Sequence, residues 1–192
     1  MGIFDKLNFA VSKAINSAVN SAVNSIGNKT ERFTFEKLPE SAAQLQALPE
    51  ASLDSPFKTA ALSVLALCAY GADKATGVEM LNFLKGPRPL SPAEIAFLDD
   101  RFRDNQWYVP FSYFKGATPE NNYTPTEPFT IEVSSNPNSG LNEGYMTLWL
   151  KSGGADNPRQ ITLRMKGDGR WFLWEQFIMV GIRTPKAQDP WA

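Results

Sequence analysis

The sequence predicts an α+β fold: a helical layer of three to four helices, then a four-stranded antiparallel β-meander, with an N-terminal amphipathic helix. Three observations predict it. Residues 57–70 are apolar around nearly the whole helical circumference, residues 73–103 hold two more helical patterns, and residues 129–177 alternate apolar and polar side chains in short runs. Helices that precede the strands, instead of alternating with them, are typical of α+β domains. We expect one such domain over residues 29–192, with residues 1–28 outside it.

Residues 1–28 are distinguished by a repeating four-residue unit. From Ala10 onwards, an alanine and a valine or isoleucine alternate with two polar residues, mostly asparagine and serine. A spacing of four places successive apolar pairs on one side of a helix, with a drift of about 40° per unit. The expected membrane- or partner-binding face consists of Phe4, Leu7, Val11, Ile15, Val19 and Val23.

Three interpretations of this helix stay open. Its apolar face enters a membrane surface, or its alanine column lets a partner helix approach closely, or it packs on its own domain or extends loosely from it. The partner helix belongs either to another protein or to a second copy of this chain, which would make a homo-oligomer through residues 1–28. An isolated helix rich in asparagine, serine and valine is marginal, so the segment needs a surface to lie against.

Residues 29–55 lead into the domain. Arg32–Glu36 alternates two phenylalanines with polar residues, as a short edge strand does. Ser41 and Gln44 have the spacing of a capping box, which predicts a short helix after them.

Residues 57–70 predict the central helix, because a helix that is apolar on all sides must be buried on most of them. The stretch is too short to span a bilayer, which needs about 20 apolar residues. Asp54 or Ser55 supplies the N-cap, and Gly71 supplies the stop. Cys68 is expected to be a small buried hydrophobe, since the chain has no histidine to activate it.

Two further helices are predicted after the central one. Asp73–Lys85 carries apolar residues at helical spacing and ends at Gly86. Ser91 and Glu94 form a capping box with a proline in the first turn, which predicts a helix to about Arg103.

The stretch Trp107–Phe129 holds seven aromatic residues and four prolines. Two interpretations stay open: the aromatics form a stacking surface for a sugar, peptide or base, or they anchor a crossover from the helices to the sheet. Nucleic acid is not expected as a partner, because Lys115 is the stretch's only basic residue and the whole chain has a net charge of −1.

The last third of the chain predicts the strands. Three half-buried strands begin at Phe129, Tyr145 and Ile161. Trp171–Phe177 is apolar on both faces, which predicts a central or doubly covered strand. Lys166–Arg170 carries two glycines and predicts the hairpin turn before it.

The chain shows no pattern of a known catalytic or cofactor site. It contains no histidine, no phosphate-binding loop, no dinucleotide motif and no nucleophile elbow. We expect no cofactor, no metal and no catalytic residue. The expected function is that of a non-enzymatic interaction protein, whose N-terminal amphipathic helix docks on a membrane surface or on partner helices.

An alternative function rests on Trp149, Trp174 and Glu175, which are candidate ligand-binding residues. Glu175 is the one acid inside a hydrophobic strand. If these residues line an aromatic pocket between the sheet and the helices, the protein is a small-ligand or peptide binder, or an enzyme of unrecognised type.

The cellular setting follows from the cysteine and from the first residues. A single cysteine rules out an intramolecular disulfide, and the first residues lack the apolar core of a signal peptide. We therefore expect a cytoplasmic protein, held at the inner face of the membrane if the N-terminal helix binds lipid.

Six stretches carry a resemblance to a known family: Phe57–Ala61, Met80–Pro87, Tyr108–Phe114, Pro119–Tyr123, Trp171–Phe177 and Asp189–Ala192. In these the chain resembles an uncharacterised bacterial family, a domain of unknown function, over residues 36–192. The resemblance implies a bacterial, cytoplasmic setting and marks residues 1–28 as an appendage. It implies no activity, cofactor or site residue.

Overall fold

The elements follow one another as helices first and strands afterwards, except for the first strand. The computed structural model describes residues 27–191, so the predicted N-terminal helix and its six site residues lie outside the described part. The helices are α1 (Ala42–Gln46), α2 (Pro56–Ala72), α3 (Lys74–Lys85), α4 (Pro92–Phe102) and α5 (Tyr108–Phe111). The strands are β1 (Thr30–Phe35), β2 (Phe129–Ser134), β3 (Tyr145–Leu150), β4 (Arg159–Met165) and β5 (Trp171–Gln176). The α+β class is confirmed, with five helices in the described part where three to four were predicted.

Helix α2 is the centre of the domain, as its composition predicts. All its residues from Pro56 to Tyr70 are buried except Lys58. It packs on α3 on one side and contacts all five strands on the other. The Ser55 hydroxyl caps its first turn by accepting a hydrogen bond from the Phe57 amide.

The predicted end of α2 at Gly71 is wrong by one residue. The helix continues to Ala72, and Asp73 serves both as its C-cap and as the N-cap of α3. Gly71 is needed instead for packing, because a Cβ atom there would lie 2.9 Å from the Phe102 ring. That ring stacks on Tyr70 at 5.1 Å between centroids and so joins α4 to α2.

The sheet has five antiparallel strands in the order β1-β2-β3-β4-β5, not four. The additional strand is β1, which pairs with β2 from Thr30↔Ser134 to Phe35↔Phe129. Its two phenylalanines, Phe33 and Phe35, are buried against the helical layer. The edge strand predicted at Arg32–Glu36 is confirmed by β1, but the four-strand count omitted it because its partner lies about a hundred residues away, where no local pattern can indicate it.

Strand β5 is an edge strand, so of the two predicted alternatives, a central or a doubly covered strand, the first is wrong. Trp171, Phe172 and Leu173 are nevertheless all buried, so its first half is covered on both faces. Its outer edge is not bare at this end, since the Trp171 amide donates a hydrogen bond to the Leu53 carbonyl at 2.8 Å. The Thr59 hydroxyl of α2 donates to the Trp171 carbonyl, also at 2.8 Å.

Most aromatic residues between α4 and β2 anchor the chain. For these residues the structure favours the anchoring interpretation over a stacking surface for a ligand. Tyr108 and Tyr123 are buried and stack on each other at 5.2 Å. The Tyr113 and Tyr123 hydroxyls donate hydrogen bonds to the carbonyls of Ile178 and Arg183, which holds the segment after β5 in place. Trp107 remains 44% exposed.

Candidate functional site

A groove of about 400 Å³ opens between α3, α4 and the edge strand β5. We call it the apolar groove, because hydrophobic side chains form most of its walls. Two of them, Phe97 and Phe177, are 39% and 49% exposed and are among the few large hydrophobic side chains that the described residues leave so open. Its apolar walls are formed by Leu81, Leu90, Phe97, Leu98, Leu173 and Phe177.

An ion pair between a buried lysine and a half-buried glutamate closes one side of the apolar groove. The Lys85 Nζ atom, on a side chain only 3% exposed, lies 2.6 Å from Oε1 of Glu94. The ammonium group also donates to the Trp174 carbonyl at 3.4 Å, so this one side chain connects α3 to α4 and to β5. The other carboxylate oxygen of Glu94 accepts hydrogen bonds from the amide and hydroxyl of Ser91.

The partners of Glu94 decide its protonation. Burial alone would raise the pKa of this carboxyl, but the hydrogen bonds from Lys85 and Ser91 outweigh burial and lower the pKa to about 2. Glu94 is therefore ionised near neutral pH and has both oxygens occupied. It fixes the walls of the apolar groove and is not available as a general acid or base there.

A second depression, of about 440 Å³, lies on the other side of Trp174. We call it the basic cleft, because its lining contains four basic residues and no acidic one: Lys85, Arg88, Arg164 and Lys166. Phe172 forms part of its wall, and Lys85, Leu173 and Trp174 line the apolar groove as well. The groove and the cleft therefore adjoin across Trp174.

Two arginines stack on the Trp174 ring. The guanidinium carbon of Arg88 lies 4.4 Å from the ring centroid, and that of Arg164 lies 4.7 Å from it. Tyr145 meets the same tryptophan edge-on at 5.6 Å and is 5.3 Å from the Arg164 guanidinium. Cation–π contacts of this kind hold an arginine in one orientation while its N–H groups stay available at the edge.

The local backbone explains how these side chains come together. The pairing of β4 with β5 shifts between Thr162 and Leu163, and Trp174 is the extra residue that the shift leaves on β5. Arg88 is delivered by the turn after α3, where Gly86 has a φ of +58°. A Cβ atom at Gly86 would lie 2.4 Å from the Phe172 ring, so only glycine allows this turn to approach β5.

The sequence-predicted ligand residues are distributed over this region. Trp174 lines both depressions. Glu175 lines the apolar groove but is exposed, and it lies opposite Thr162 of β4 in the strand register. Trp149 lies on β3, opposite Gln160, and is in the lining of neither depression. The aromatic residue of β3 that does contact Trp174 is Tyr145.

Sequence reasoning missed the basic and the exposed aromatic members of the site. Arg88, Arg164, Phe97 and Phe177 come from a turn, a strand, a helix and a loop, with no motif that joins them. The only local signal was that Trp174 is an aromatic residue in the middle of a strand that borders the sheet.

Residues 27–191 also bear on metal binding, membrane insertion and thiol chemistry. No group of three or more histidine, cysteine or carboxylate side chains there is arranged to hold a metal ion. No helix in this part of the chain is long and apolar enough to cross a membrane. The Cys68 thiol is buried, and burial raises its pKa, so this thiol is not poised as a nucleophile.

Comparison with known proteins places the chain in a family. A family model described as a domain of unknown function, DUF6935, matches residues 37–186, which is most of the 192-residue chain. The chain belongs to the DUF6935 family. The matched range includes the whole apolar groove and basic cleft, so both belong to the DUF6935 domain itself. Neither a curated protein nor a solved structure matches the chain.

Proposed function

We propose that this DUF6935 protein is a non-enzymatic binding protein, whose domain takes a small and mainly apolar ligand in the apolar groove. The observation that carries the proposal is the groove itself, with Phe97 and Phe177 exposed at its walls. Its volume of about 400 Å³ falls within the range of about 300–1,000 Å³ that is usual for small-molecule sites. A small ligand fits this volume better than a folded partner would.

The charged groups at the groove support binding more than catalysis. Lys85 and Glu94 are committed to each other, and Glu175 points to solvent at the strand edge. Acid–base catalysis needs two titratable groups in contrasting environments. These three residues do not offer such a pair.

Binding of alkyl probes to the full chain tests the proposal. Octanol and decanol are titrated while tryptophan fluorescence is followed, since Trp174 lines the groove. The variant Ala93→Phe puts a large ring into the groove lining, and we expect it to weaken binding about tenfold or more. Ala96→Phe, on the exposed side of the same helix, is the matched control and should bind like the wild type. Absence of alkyl binding to the wild-type chain would overturn the proposal.

A second candidate function rests on residues 1–28, which lie almost entirely outside the described part. We propose that their repeating Ala-Val/Ile pairs dock on a membrane surface or on a partner helix, a second copy of the chain included. The test is liposome flotation and sedimentation of the full chain with Val11, Ile15, Val19 and Val23 changed to serine. A control variant with Asn16, Asn20 and Asn24 changed to glutamine leaves the apolar face unchanged. If the serine variant floats and associates like the wild type, this function is excluded.

A further inference from the structure

We propose that the ligand of the apolar groove is an amphiphilic anion, an alkyl chain that ends in a carboxylate or phosphate, and that Arg88 and Arg164 hold the anionic end in the basic cleft. The inference rests on the proposed function and adds the chemical class of the ligand. It is carried by the charges of the cleft, by the stacking of its arginines and by the wall that it shares with the groove.

The positive charge of the basic cleft is only partly neutralised by the described residues. Of the four basic residues that line the cleft, Lys85 is paired with Glu94, and Lys166 is paired with Asp168 at 3.0 Å. Arg88 and Arg164 take part in no ion pair with any of the described residues 27–191. The two unpaired cations therefore leave the cleft with a net positive charge that attracts an anion.

The two unpaired arginines are held in place by aromatic rings. Both guanidinium groups are held on the same indole ring, Arg164 also against Tyr145. Two like charges near one ring repel each other, and an anion in the cleft that both of them line would reduce this repulsion. Guanidinium groups fit carboxylate and phosphate oxygens with paired hydrogen bonds, so a held arginine is a suitable receptor for either headgroup.

The basic cleft is continuous with the apolar groove. The cleft and the groove share Lys85, Leu173 and Trp174 in their linings. An alkyl chain that lies against Leu173 in the groove therefore ends beside Trp174, where the two arginines are. Trp174 is in both linings, so its side chain stands between the groove that would hold the alkyl chain and the cleft that would hold the headgroup.

The test measures four probes against the full-length chain: decanol, decanoate, decyl phosphate and inorganic phosphate. We expect decanoate or decyl phosphate to bind about tenfold or more tightly than decanol, because charged hydrogen bonds add to the burial of the same chain. Whichever of the two binds more tightly identifies the headgroup. The affinity of the anionic probes should fall as salt is added, and that of decanol should not.

Variants of the arginines complete the test. Arg88→Gln and Arg164→Gln should each weaken binding of the anionic probe about tenfold and leave decanol binding unchanged. Arg32→Gln, which removes the same charge on β1 at the opposite edge of the sheet, should change neither. Arg164 lies within a strand, so thermal unfolding must show that Arg164→Gln still folds. If Arg164→Gln does not fold, Arg88→Gln provides the test, because Arg88 lies in a turn.

The outcomes separate this inference from the function on which it rests. If decanol binds as tightly as the anionic probes, or if both arginine variants bind the anions like the wild type, the inference fails and groove binding stands. If inorganic phosphate binds as tightly as decyl phosphate, the alkyl chain contributes nothing and the amphiphilic ligand is overturned. If no probe binds, the proposed function fails together with the inference.

Discussion

The ammonium group of Lys85 lies 2.6 Å from the carboxylate of Glu94, on a side chain that is only 3% exposed. Helices α3 and α4 are thus joined by a charge pair at the boundary between the apolar groove and the basic cleft. A pair with one buried member is costly to break from one side, because the remaining charge is left without a partner and is only partly solvated.

Removal of the lysine charge should therefore destabilise the domain. We expect Lys85→Met to lower the free energy of unfolding by about 1–3 kcal/mol, since Glu94 keeps its charge and loses its partner, although its side chain is 30% exposed and still accepts from Ser91. The double variant Lys85→Met/Glu94→Gln should recover part of this loss, because it leaves no unpaired charge and keeps a capping side chain for Ser91. Urea unfolding measures both. Equal losses in the single and double variants would contradict the charge-pair explanation.

The ion pair also gives the stability a dependence on pH. The pKa of Glu94 is lowered in the folded protein to about 2 from an ordinary value of 4.5. A lowered pKa stabilises the folded state above the ordinary value, and this contribution is lost as pH falls from about 4.5 towards 2. Urea unfolding at pH 6 and pH 3 should show a smaller difference for Glu94→Gln than for the wild type. An identical difference in both proteins would exclude Glu94 as a source of the acid sensitivity.

The turn at Gly86 should tolerate no side chain. Gly86→Ala would place a Cβ at a φ of +58° and 2.4 Å from the Phe172 ring, so we expect a loss of about 1–3 kcal/mol in unfolding free energy. Because the same turn carries Arg88, the variant should also weaken binding of the anionic probes. For the unfolding measurement Gly167→Ala is the control, since a Cβ there meets nothing within 4 Å. Thermal denaturation measures the stability of both variants. If Gly86→Ala is as stable as the wild type, the turn has room to shift and the prediction is wrong.

The single thiol should report on the integrity of α2. Cys68 is 5% exposed and its pKa is raised by burial, so a thiol-specific chromogenic reagent should label it slowly in the native protein and rapidly in urea. We expect the labelling rate to differ by at least about a hundredfold, because native labelling requires local opening. Rapid labelling without urea would mean that α2 is not enclosed by the sheet and α3 as described.

The parts of the fold that could be predicted from the sequence are those specified by neighbouring residues. The capping box of Ser91 and Glu94 marked the start of α4 correctly, because both partners lie within four residues. The all-round apolar stretch of α2 indicated burial on every side for the same local reason. Strand β1 was predicted as an edge strand from the alternation of Phe33 and Phe35, but its pairing with the meander was missed because Arg32 and its partner Glu132 lie a hundred positions apart.

The candidate site was harder to predict, because its members meet only after the chain has folded. Trp174 was identified from its aromatic strand, but Arg88 comes from a turn and Arg164 from another strand. In the sequence each arginine has the pattern of a solvated surface residue. The register shift at Thr162, which aims Trp174 at both of them, has no signature in composition or spacing.

The order of the strands also determines which edge of the sheet would be nearest to a surface that bound the first residues of the chain. The described chain enters the sheet through Gly27 and Lys29, which Ser135 holds at the β1 edge, whereas Trp174 occupies the β5 edge. Four inter-strand spacings, about 19 Å, lie between them. The apolar groove and the basic cleft therefore lie at the sheet edge opposite the point where residue 27 enters the domain, and anything bound to the first residues would approach the domain from the β1 side.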